Sequence, residues 1–166
     1  MSDNSGALQT KQFLIISLMD KLTPEQRSRN MAAVKSKDTR PELMLRRELW
    51  KRGLRYRKNC KEVPGTPDIV FPWYKIAVFC DGSFWHGYEW EKTKGRIKSN
   101  TKYWHTKIEK NIDRDKRVNR QLLVEGWILV RYWDYQILKD LKFCADEIEA
   151  LVRERRAENA AWHDRK

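Results

Sequence analysis

The amino-acid sequence predicts a single α/β domain, in which a mixed central sheet is flanked by helices. The chain has 166 residues, a length that suits one domain and is short for two. Helical and strand-like segments follow one another in the order α-α-β-β-β-α-β-α, without an internal repeat or a second-domain linker. A sheet covered by helices is the simplest way to bury strands in this order.

Two helix-start patterns open the domain. Thr23-Pro24-Glu25-Gln26 combines an N-cap residue, a proline at the first helical position and a glutamine at the third, and it predicts a helix to about Ser36. Thr39-Arg40-Pro41-Glu42 repeats the pattern and predicts a second helix that ends before Gly53. The apolar candidates of this second helix are Leu43, Leu45, Leu49 and Trp50.

Strand-like runs come next, and their ends are marked by turn residues. We expect strands over 54–58, 68–71 and 75–80, followed by a Gly-rich and aromatic loop over 81–98 and a long basic helix over 99–124. A fourth strand over 127–133 alternates two sets of residues, and a last helix runs from 137 to about 156. The two alternating sets are Ile128, Val130 and Tyr132, and Trp127, Leu129 and Arg131.

The cysteines and the apolar runs indicate the cellular compartment, and the element pattern indicates the domain boundaries. The three cysteines form no C-x-x-C pair and are odd in number, which favours a reducing compartment such as the cytoplasm. No apolar run approaches the roughly 18 residues of a membrane span, so no membrane partner is expected. We predict a weakly ordered extension over 1–20, one domain over 21–156, and a polar tail over 157–166.

The charge of the chain is unevenly distributed. The formal net charge is +12, which favours a polyanionic partner, nucleic acid before an acidic membrane surface. Residues 21–61 hold 14 cations and 4 acids, and residues 92–120 hold 11 cations and 3 acids, whereas residues 62–91 hold one cation and 5 acids. An acidic segment between basic flanks is typical of a metal-dependent phosphodiesterase. The alternative is a solvated loop with scattered acids.

Candidate catalytic groups fall in this acidic segment. Asp68 begins one predicted strand and Asp81 ends the next, so a tight turn brings the two carboxylates together. With a backbone carbonyl such as that of Cys80, they can chelate Mg²⁺, which prefers oxygen ligands. His86 lies five residues beyond Asp81, where it can take up or donate a proton. A loop histidine without a catalytic role is the alternative.

Three further acids are compatible with the same site. Asp113 and Asp115 interrupt a cationic helix, and either can orient an imidazole or form an ordinary ion pair with a neighbouring Arg or Lys. Glu42 either joins the site or serves only as the acid of the capping pattern.

Four ordered motifs then resemble the very-short-patch-repair (Vsr) DNA mismatch endonucleases. They are Arg27-Ser28-Arg29-Asn30-Met31, Pro64-Gly65-Thr66-Pro67-Asp68, Asp81-Gly82-Ser83-Phe84-Trp85-His86-Gly87 and Lys110-Asn111-Ile112-Asp113-Arg114-Asp115. The resemblance covers about 21–156. It implies the restriction-endonuclease-like PD-(D/E)xK fold with an active site of the E-D-x-H-D type.

The resemblance assigns a role to each candidate. Asp68 is the metal-binding aspartate, the main-chain carbonyl of Cys80 completes the metal shell, and His86 is the general base. Asp115 pairs with the histidine, and Glu42 is the glutamate of the early helix. Asp81 stands at a variable position of the site, where it can hold the metal directly or through water.

The resemblance also implies contacts with DNA. Phe84, Trp85 and Trp104 fall where aromatic side chains insert beside a T:G mismatch from the major groove, and Met31 falls where an apolar side chain enters the minor groove. Arg29 and Lys110 lie in the motifs that contact DNA. We expect Trp85 and Trp104 to be exposed, with core packing as the alternative.

Two departures from the family pattern bear on metals. Where the best-known relative has Cys and His ligands for a structural zinc, this chain has Ser83, Tyr88, Trp90 and Tyr135. We therefore predict no structural zinc and a loop held by packing of Tyr88 and Trp90. Ser83 also stands where the broader fold usually has a catalytic lysine, which places more weight on His86.

Together these observations predict a monomeric endonuclease dependent on Mg²⁺, for which Mn²⁺ can substitute. It would nick one strand of duplex DNA at or next to a T:G mismatch, alone or with other mismatch-repair proteins. A homing, restriction-associated or general nuclease of the same fold is the first alternative. A non-catalytic DNA-binding module is the second.

Overall fold

A computed structural model describes Thr23, Gln26, Arg29 and residues 37–163. At the start of the domain, the N–H of Thr23 donates to Oε1 of Gln26 at 2.9 Å, and the N–H of Gln26 donates to Oγ1 of Thr23 at 3.3 Å. This reciprocal pair confirms the predicted capping box, and Gln26 and Arg29 are helical. Met31 and the expected extension over 1–20 lie outside the described residues.

The described elements follow the predicted order, with two additional short helices. They are helix α1 (Arg40–Lys51), strands β1 (Arg57–Lys58), β2 (Ile69–Phe71) and β3 (Ile76–Asp81), helices α2 (Trp90–Thr93) and α3 (Thr101–Val124), strand β4 (Ile128–Trp133), and helices α4 (Asp134–Lys139) and α5 (Leu141–His163). The 3-10 turns Pro72–Tyr74 and Lys94–Arg96 complete the set.

The four strands form one mixed sheet in the order β1-β2-β3-β4. β2 runs antiparallel to β1 and β3, and Ile69 is paired with Val78. β3 and β4 are parallel, and Asp81 is paired with Trp133 at their carboxyl ends. Because parallel neighbours need a crossover, the chain between β3 and β4 contains the long helix α3. The predicted sheet flanked by helices is confirmed.

Each face of the sheet packs on a different core, and β4 contributes to both. Tyr132 belongs to the core under α1, α4 and α5, and Ile128 and Val130 pack against that core. Trp127 and Leu129 pack on the other face, against a core that includes Leu122 of α3. The alternation predicted for this strand therefore separates the two faces, as the two-residue period of a strand requires.

The carboxyl-terminal helix differs from the prediction. The expected helix over 137–156 is two helices, because Asp140 interrupts it with φ −145° and ψ 73°. The Oδ1 atom of Asp140 accepts a hydrogen bond from the N–H of Phe143 at 2.9 Å, which starts α5 in the manner of an N-cap. The stretch expected as a polar tail continues α5 to His163, and residues 157–162 are exposed.

Two other expectations are corrected. Trp50, predicted to face the core, is 54% exposed in the last turn of α1, where its ring packs between the Arg55 guanidinium, at 3.9 Å, and the edge of Tyr56. The loop expected over 81–98 contains α2 and a 3-10 turn. Among the described helices, none has the length and apolarity needed to cross a membrane.

Candidate active site

The ends of β2 and β3 bring the first two acids together. Asp68 directly precedes β2, and Asp81 is the last residue of β3. In the antiparallel register, Asp68 lies opposite the end of β3, where its Oδ2 accepts a hydrogen bond from the N–H of Cys80 at 2.7 Å. Because this N–H and the carbonyl proposed to bind metal belong to the same residue, Cys80, that carbonyl is also close to Asp68. The predicted proximity of Asp68 and Cys80 is confirmed.

Asp68 has a strongly perturbed acidity. Burial raises the pKa of Asp68 to about 6, and the nearby charges of Glu42 and Asp81 act in the same direction. The hydrogen bond from Cys80 and the charge of Arg46 oppose this rise without cancelling it. The ionised carboxylate is therefore poorly stabilised in the free protein, mainly because it is buried, and a bound cation would stabilise it.

Glu42 lies beside Asp68 at the start of α1, and it is only 3% exposed. Its carboxylate accepts hydrogen bonds from the N–H of Asp38 at 2.9 Å and from the hydroxyl of Thr39 at 2.7 Å. Glu42 also pairs with Arg46 at 3.3 Å, and Arg46 donates to the carbonyl of Asp68 at 3.0 Å. Thr39 makes no side-chain capping hydrogen bond, so the capping box predicted at this helix is wrong, and its hydroxyl donates to Glu42 instead. Of the two sequence-based readings of Glu42, the structure favours the one that places it beside the metal-binding candidate.

The loop after β3 presents His86, and α3 supplies its partner. The Nδ1 atom of His86 lies 2.6 Å from Oδ2 of Asp115. Because a carboxylate only accepts, Nδ1 carries the proton and Nε2 is left as the proton acceptor. Burial raises the pKa of Asp115, but the hydrogen bond with His86 and the charges of His86 and Arg131 hold it below its usual value. The structure thus selects Asp115 over the exposed Asp113.

Asp81 occupies the other side of the same histidine. Its Oδ1 lies 3.5 Å from Nδ1 of His86. Both carboxylate oxygens contact Arg131, Oδ2 at 2.7 Å from Nε and Oδ1 at 3.3 Å from Nη2. Burial raises the pKa of Asp81, and Arg131 and His86 oppose that rise. This pairing favours Asp81 as a neighbour of the imidazole over Asp81 as a direct metal ligand.

The predicted DNA-inserting aromatics form one cluster. Ring centroids of Phe84, Trp85 and Trp104 lie 5.1–5.6 Å apart, in edge-to-face contacts. Phe84 and Trp85 are half-buried, but Trp104 is only 9% exposed, so its predicted exposure is wrong. The first turn of α3 lies against the loop, and the other two rings cover Trp104. The side-chain amide of Asn111 fixes this loop by donating to the carbonyl of Trp85 at 2.9 Å.

The positions that bind zinc in the best-known relative are occupied here by a different network. The hydroxyls of Tyr135 and Tyr88 lie 3.1 Å apart, and the Tyr88 ring also packs against Trp133. Trp90 packs edge-on against His105, at 5.1 Å between centroids. Ser83 donates through its hydroxyl and its N–H to Asp134. The expected packing of Tyr88 and Trp90 is confirmed, and the prediction of no zinc remains a prediction.

The candidate groups open into one cleft of about 610 Å³. Its walls include the acids proposed to bind metal, His86 and the aromatic loop that follows β3. Lys107, Asn111 and Arg114 of α3 lie along one edge. The catalytic candidates that line it are Glu42, Asp68, Cys80, Asp81 and His86. Asp115 lies behind the imidazole. An acidic floor beside cationic residues suits a phosphodiester held with a divalent cation.

The donor set fits a hard cation that keeps part of its hydration shell. Among the described residues, no three His, Cys, Asp or Glu side chains are arranged to hold a metal ion by themselves. The candidates are instead the Asp68 carboxylate and the Cys80 carbonyl. Mg²⁺ is commonly held by one or two carboxylates with water and substrate phosphate, so this smaller set is sufficient.

Other predicted residues lie farther from this site. Arg29 and Lys110 are exposed and do not line the cleft. Lys110 borders a shallow depression on the exposed side of α3 with Lys102 and Lys107. These positions are open to a DNA backbone, although their contact with DNA remains a prediction.

Sequence reasoning missed two arginines of the site. Arg131 lies in the otherwise apolar strand β4. A single charged residue in a strand-like run was the sequence feature that could have indicated a buried ion pair. Arg46 lies four residues after Glu42 on α1, and this i,i+4 spacing was the signal for a pair. Both side chains are largely buried and connect acids of the cleft.

Comparison with known proteins gives one family match and several relatives. The family described as DNA mismatch endonuclease Vsr matches residues 19–92. The chain is 49% identical over 137 residues to a type II nicking enzyme of Neisseria meningitidis serogroup C, with 82% of this chain and 93% of that protein covered. It is 51% identical over 138 residues to a type II nicking enzyme of Haemophilus parainfluenzae, with 82% and 98% covered.

A third relative is named for a different activity. The DNA mismatch endonuclease Vsr of Escherichia coli (strain K12) is 36% identical over 108 residues, which cover 65% of this chain and 69% of that protein. The fold, the cleft and these similarities define a DNA endonuclease with the restriction-endonuclease-like fold. The chain belongs to the Vsr family of DNA endonucleases. The alternative of a non-catalytic DNA-binding module is thereby set aside.

Proposed function

We propose that the protein is a divalent-metal-dependent endonuclease that nicks one strand of duplex DNA at or next to a T:G mismatch. The observation that carries the proposal is the shared cleft of Asp68 and His86, in which Asp115 orients the imidazole. The relatives named as nicking enzymes support single-strand cleavage. The relative named as a mismatch endonuclease supports the mismatch.

The metal-binding residues in this proposal are Asp68, through its carboxylate, and Cys80, through its carbonyl oxygen. When bound there, Mg²⁺ or Mn²⁺ would supply Lewis-acid stabilisation of the charge that develops on the phosphate. The negative charge of Glu42 adds to the attraction for the cation. The buried carboxylate of Asp68 supports this assignment, since burial, together with the charges of Glu42 and Asp81, raises its pKa, and a bound cation would stabilise its ionised form.

The protein residues then handle the proton. His86 accepts a proton from water through Nε2 while the water oxygen forms a bond to phosphorus and the bond from phosphorus to the 3′-oxygen breaks. The leaving 3′-oxygen takes a proton from solvent. The products are a 5′-phosphate and a 3′-hydroxyl. Asp115 holds the other nitrogen of the ring, so the imidazole keeps the tautomer that can accept.

The aromatic cluster supports mismatch preference. Inserting apolar side chains between base pairs costs the stacking energy of that step, a few kcal/mol. A mispaired step is easier to open, so the same wedge favours mismatched over paired duplex. Phe84 and Trp85 lie at the mouth of the cleft in this proposal, and Trp104 supports them from behind.

The remaining expectations belong to the same proposal. The protein acts as a monomer in the cytoplasm, close to the nucleoid, and it works with other mismatch-repair proteins. Duplex DNA is its partner, in agreement with the basic segments over 21–61 and 92–120.

A panel of labelled duplexes tests this function. Purified protein is incubated with Mg²⁺, Mn²⁺ or EDTA and with paired DNA or each mismatch in several sequence contexts. We expect a single nick in one strand of T:G duplexes with either metal, and none with EDTA. Asp68→Ala abolishes nicking, whereas Glu91→Ala, which removes an exposed acid of the same acidic segment, leaves it intact. Equal activity of wild type and Asp68→Ala would contradict the catalytic assignment.

The second candidate is a restriction-associated nuclease without mismatch preference. The two relatives named type II nicking enzymes favour it, since that name does not mention a mismatch. The same panel separates the candidates, because a nuclease of this kind cleaves paired and T:G duplexes of the same sequence at similar rates. Cleavage at least tenfold faster on T:G DNA supports the mismatch proposal.

A further inference from the structure

Arg131 is a largely buried cation behind the proposed active site. It lies in the middle of β4, paired in register with Phe79, and its guanidinium stands 4.5 Å above the Phe79 ring. It does not line the cleft, so it has no direct access to the scissile phosphate. Any influence that it has on the reaction must pass through the groups that it contacts.

All three guanidinium nitrogens have partners from two structural elements. Nε and Nη2 contact the carboxylate of Asp81 on β3, at 2.7 and 3.3 Å. Nη1 donates to Oδ1 of Asn119 at 2.8 Å, and Nη2 lies 3.5 Å from Oδ1 of Asp115, both on α3. The planar fork of arginine thus ties the sheet to the helix that carries the partner of His86.

These contacts decide how the two acids share one histidine. The single N–H of His86 Nδ1 faces Asp115 at 2.6 Å and Asp81 at 3.5 Å. Two carboxylates beside each other repel, and only one of them can take the short hydrogen bond. Arg131 holds both oxygens of Asp81 and lies between the two acids. Asp115 is therefore the acid that makes the short bond.

We infer that Arg131 is a positioning residue that holds Asp81 and Asp115 on fixed sides of His86, so that the imidazole presents Nε2 to the cleft. The inference rests on the proposed function, because it assigns Nε2 as the proton acceptor. Arg131 neither binds DNA nor takes part in proton transfer. Its effect is on the orientation and tautomer of one side chain.

A single-turnover nicking assay with enzyme in excess over T:G duplex tests this role. We expect Arg131→Met to lower the nicking rate at least about tenfold while the dissociation constant for the same duplex in EDTA stays within twofold of wild type. Arg131→Lys recovers only part of the rate, since a single ammonium cannot replace three directed N–H groups. A wild-type rate in Arg131→Met would overturn the inference.

A spectroscopic measurement tests the geometry without DNA cleavage. In nitrogen-15 NMR of the imidazole, wild-type His86 shows one tautomer, protonated at Nδ1, and Arg131→Met shows a mixture of tautomers. An unchanged His86 spectrum in the variant would overturn the inference. If the wild type nicks no duplex at all, the proposed function fails. The NMR measurement would then still show whether Arg131 orients the His86 imidazole.

Two further variants separate positioning from loss of folding. Arg52→Met removes another partly buried arginine that bridges three acids, between α1 and α5 and away from the cleft. We expect it to nick at the wild-type rate at temperatures where it is folded. The double variant Asp81→Asn/Arg131→Met removes the competing carboxylate with its counter-ion, and it nicks faster than Arg131→Met alone. A double variant no faster than Arg131→Met would contradict the positioning role.

Discussion

Asp68 holds a negative charge in a poorly solvated place. Burial, with Glu42 and Asp81 nearby, raises its pKa to about 6, and the hydrogen bond from Cys80 does not offset this. A buried carboxylate of this kind lowers the free energy of unfolding of the metal-free protein at neutral pH. It also provides a negatively charged ligand for a cation. The same residue therefore links stability, pH and metal binding.

We predict that Asp68→Asn stabilises the metal-free protein at neutral pH. A carboxyl with a raised pKa binds its proton more tightly in the folded state, so its contribution to stability falls as pH rises from about 4 to about 6. Asparagine carries no charge and can still accept the hydrogen bond from Cys80. We expect the free energy of unfolding at about pH 7.5 to rise by roughly 2–3 kcal/mol, with little change at about pH 4. Urea unfolding at both pH values measures this.

Magnesium supplies the control for this prediction. Mg²⁺ should raise the melting temperature of the wild type more above pH 6 than below it, because protonation of Asp68 competes with the cation. The Asp68→Asn variant should lose this shift. A variant that is less stable than wild type at every pH would contradict a costly buried charge at this position.

We predict that Asp115→Asn slows nicking by about 100-fold or more, because an asparagine amide in place of the acceptor carboxylate can turn the imidazole to the other tautomer. The measurement is the single-turnover rate on T:G duplex. Asp113→Asn, two residues earlier on α3 and exposed, is the matched control and should retain the wild-type rate. Similar losses in both variants would show that the effect is general to the helix.

The loop that carries His86 depends on close contact with α3. Gly87 has φ +68°, and a Cβ atom there would lie 2.6 Å from Cδ1 of Ile112 and 3.1 Å from Cγ2 of Ile108. Only glycine meets both demands, a left-handed backbone and the absence of a side chain. The loop is thereby held against the helix that supplies Asp115.

We predict that Gly87→Ala lowers the free energy of unfolding by about 1–3 kcal/mol and also slows nicking, because the loop must move away from α3. Urea unfolding and single-turnover nicking check the two effects. Gly95→Ala is the matched control, since a Cβ at Gly95 meets nothing within 4 Å. A Gly87→Ala protein with wild-type stability and activity would contradict this account of the loop.

Elements with strong local patterns were predictable from the sequence. The two-residue period of β4 correctly separates the residues of the two cores, and the tight turn after β2 brings Asp68 to Cys80. The break at Asp140 was missed because an apolar helical period continues through it, and its capping role depends on a contact with Phe143.

Contacts between distant elements were not predictable in the same way. Asp113 and Asp115 stand about 200° apart around α3, and the sequence does not give the rotation of that helix against the loop. Arg131 meets Asp81 across 50 positions of chain, through the parallel pairing of β3 and β4. Trp104 is buried because two loop aromatics cover it, although its neighbours in sequence are polar.

At the scale of the whole molecule, cations and acids are separated by their place in the fold. The acids converge at the carboxyl ends of β3 and β4, while Lys102, Lys107 and Lys110 lie on the exposed side of α3. DNA bound along α3 would have its backbone on cations and one phosphate over the acidic floor. Such binding is expected to weaken with salt.

We predict that Lys110→Ala weakens binding to paired and T:G duplexes alike and makes the salt dependence shallower by about one in the log–log slope, since it removes one phosphate contact. Fluorescence anisotropy between roughly 50 and 200 mM salt measures this. Arg153→Ala, an exposed arginine on α5 across the sheet, should change neither quantity. Equal slopes for wild type and Lys110→Ala would place the DNA elsewhere.

The most direct test of the central claim is the single-turnover nicking rate of His86→Ala on a strand-labelled T:G duplex with Mg²⁺. With enzyme in excess and DNA saturated, we expect a loss of about 100-fold or more at unchanged DNA affinity, whereas His105→Ala keeps the wild-type rate where it is folded. Nicking by His86→Ala at the wild-type rate would contradict a mechanism in which this imidazole takes the proton from water.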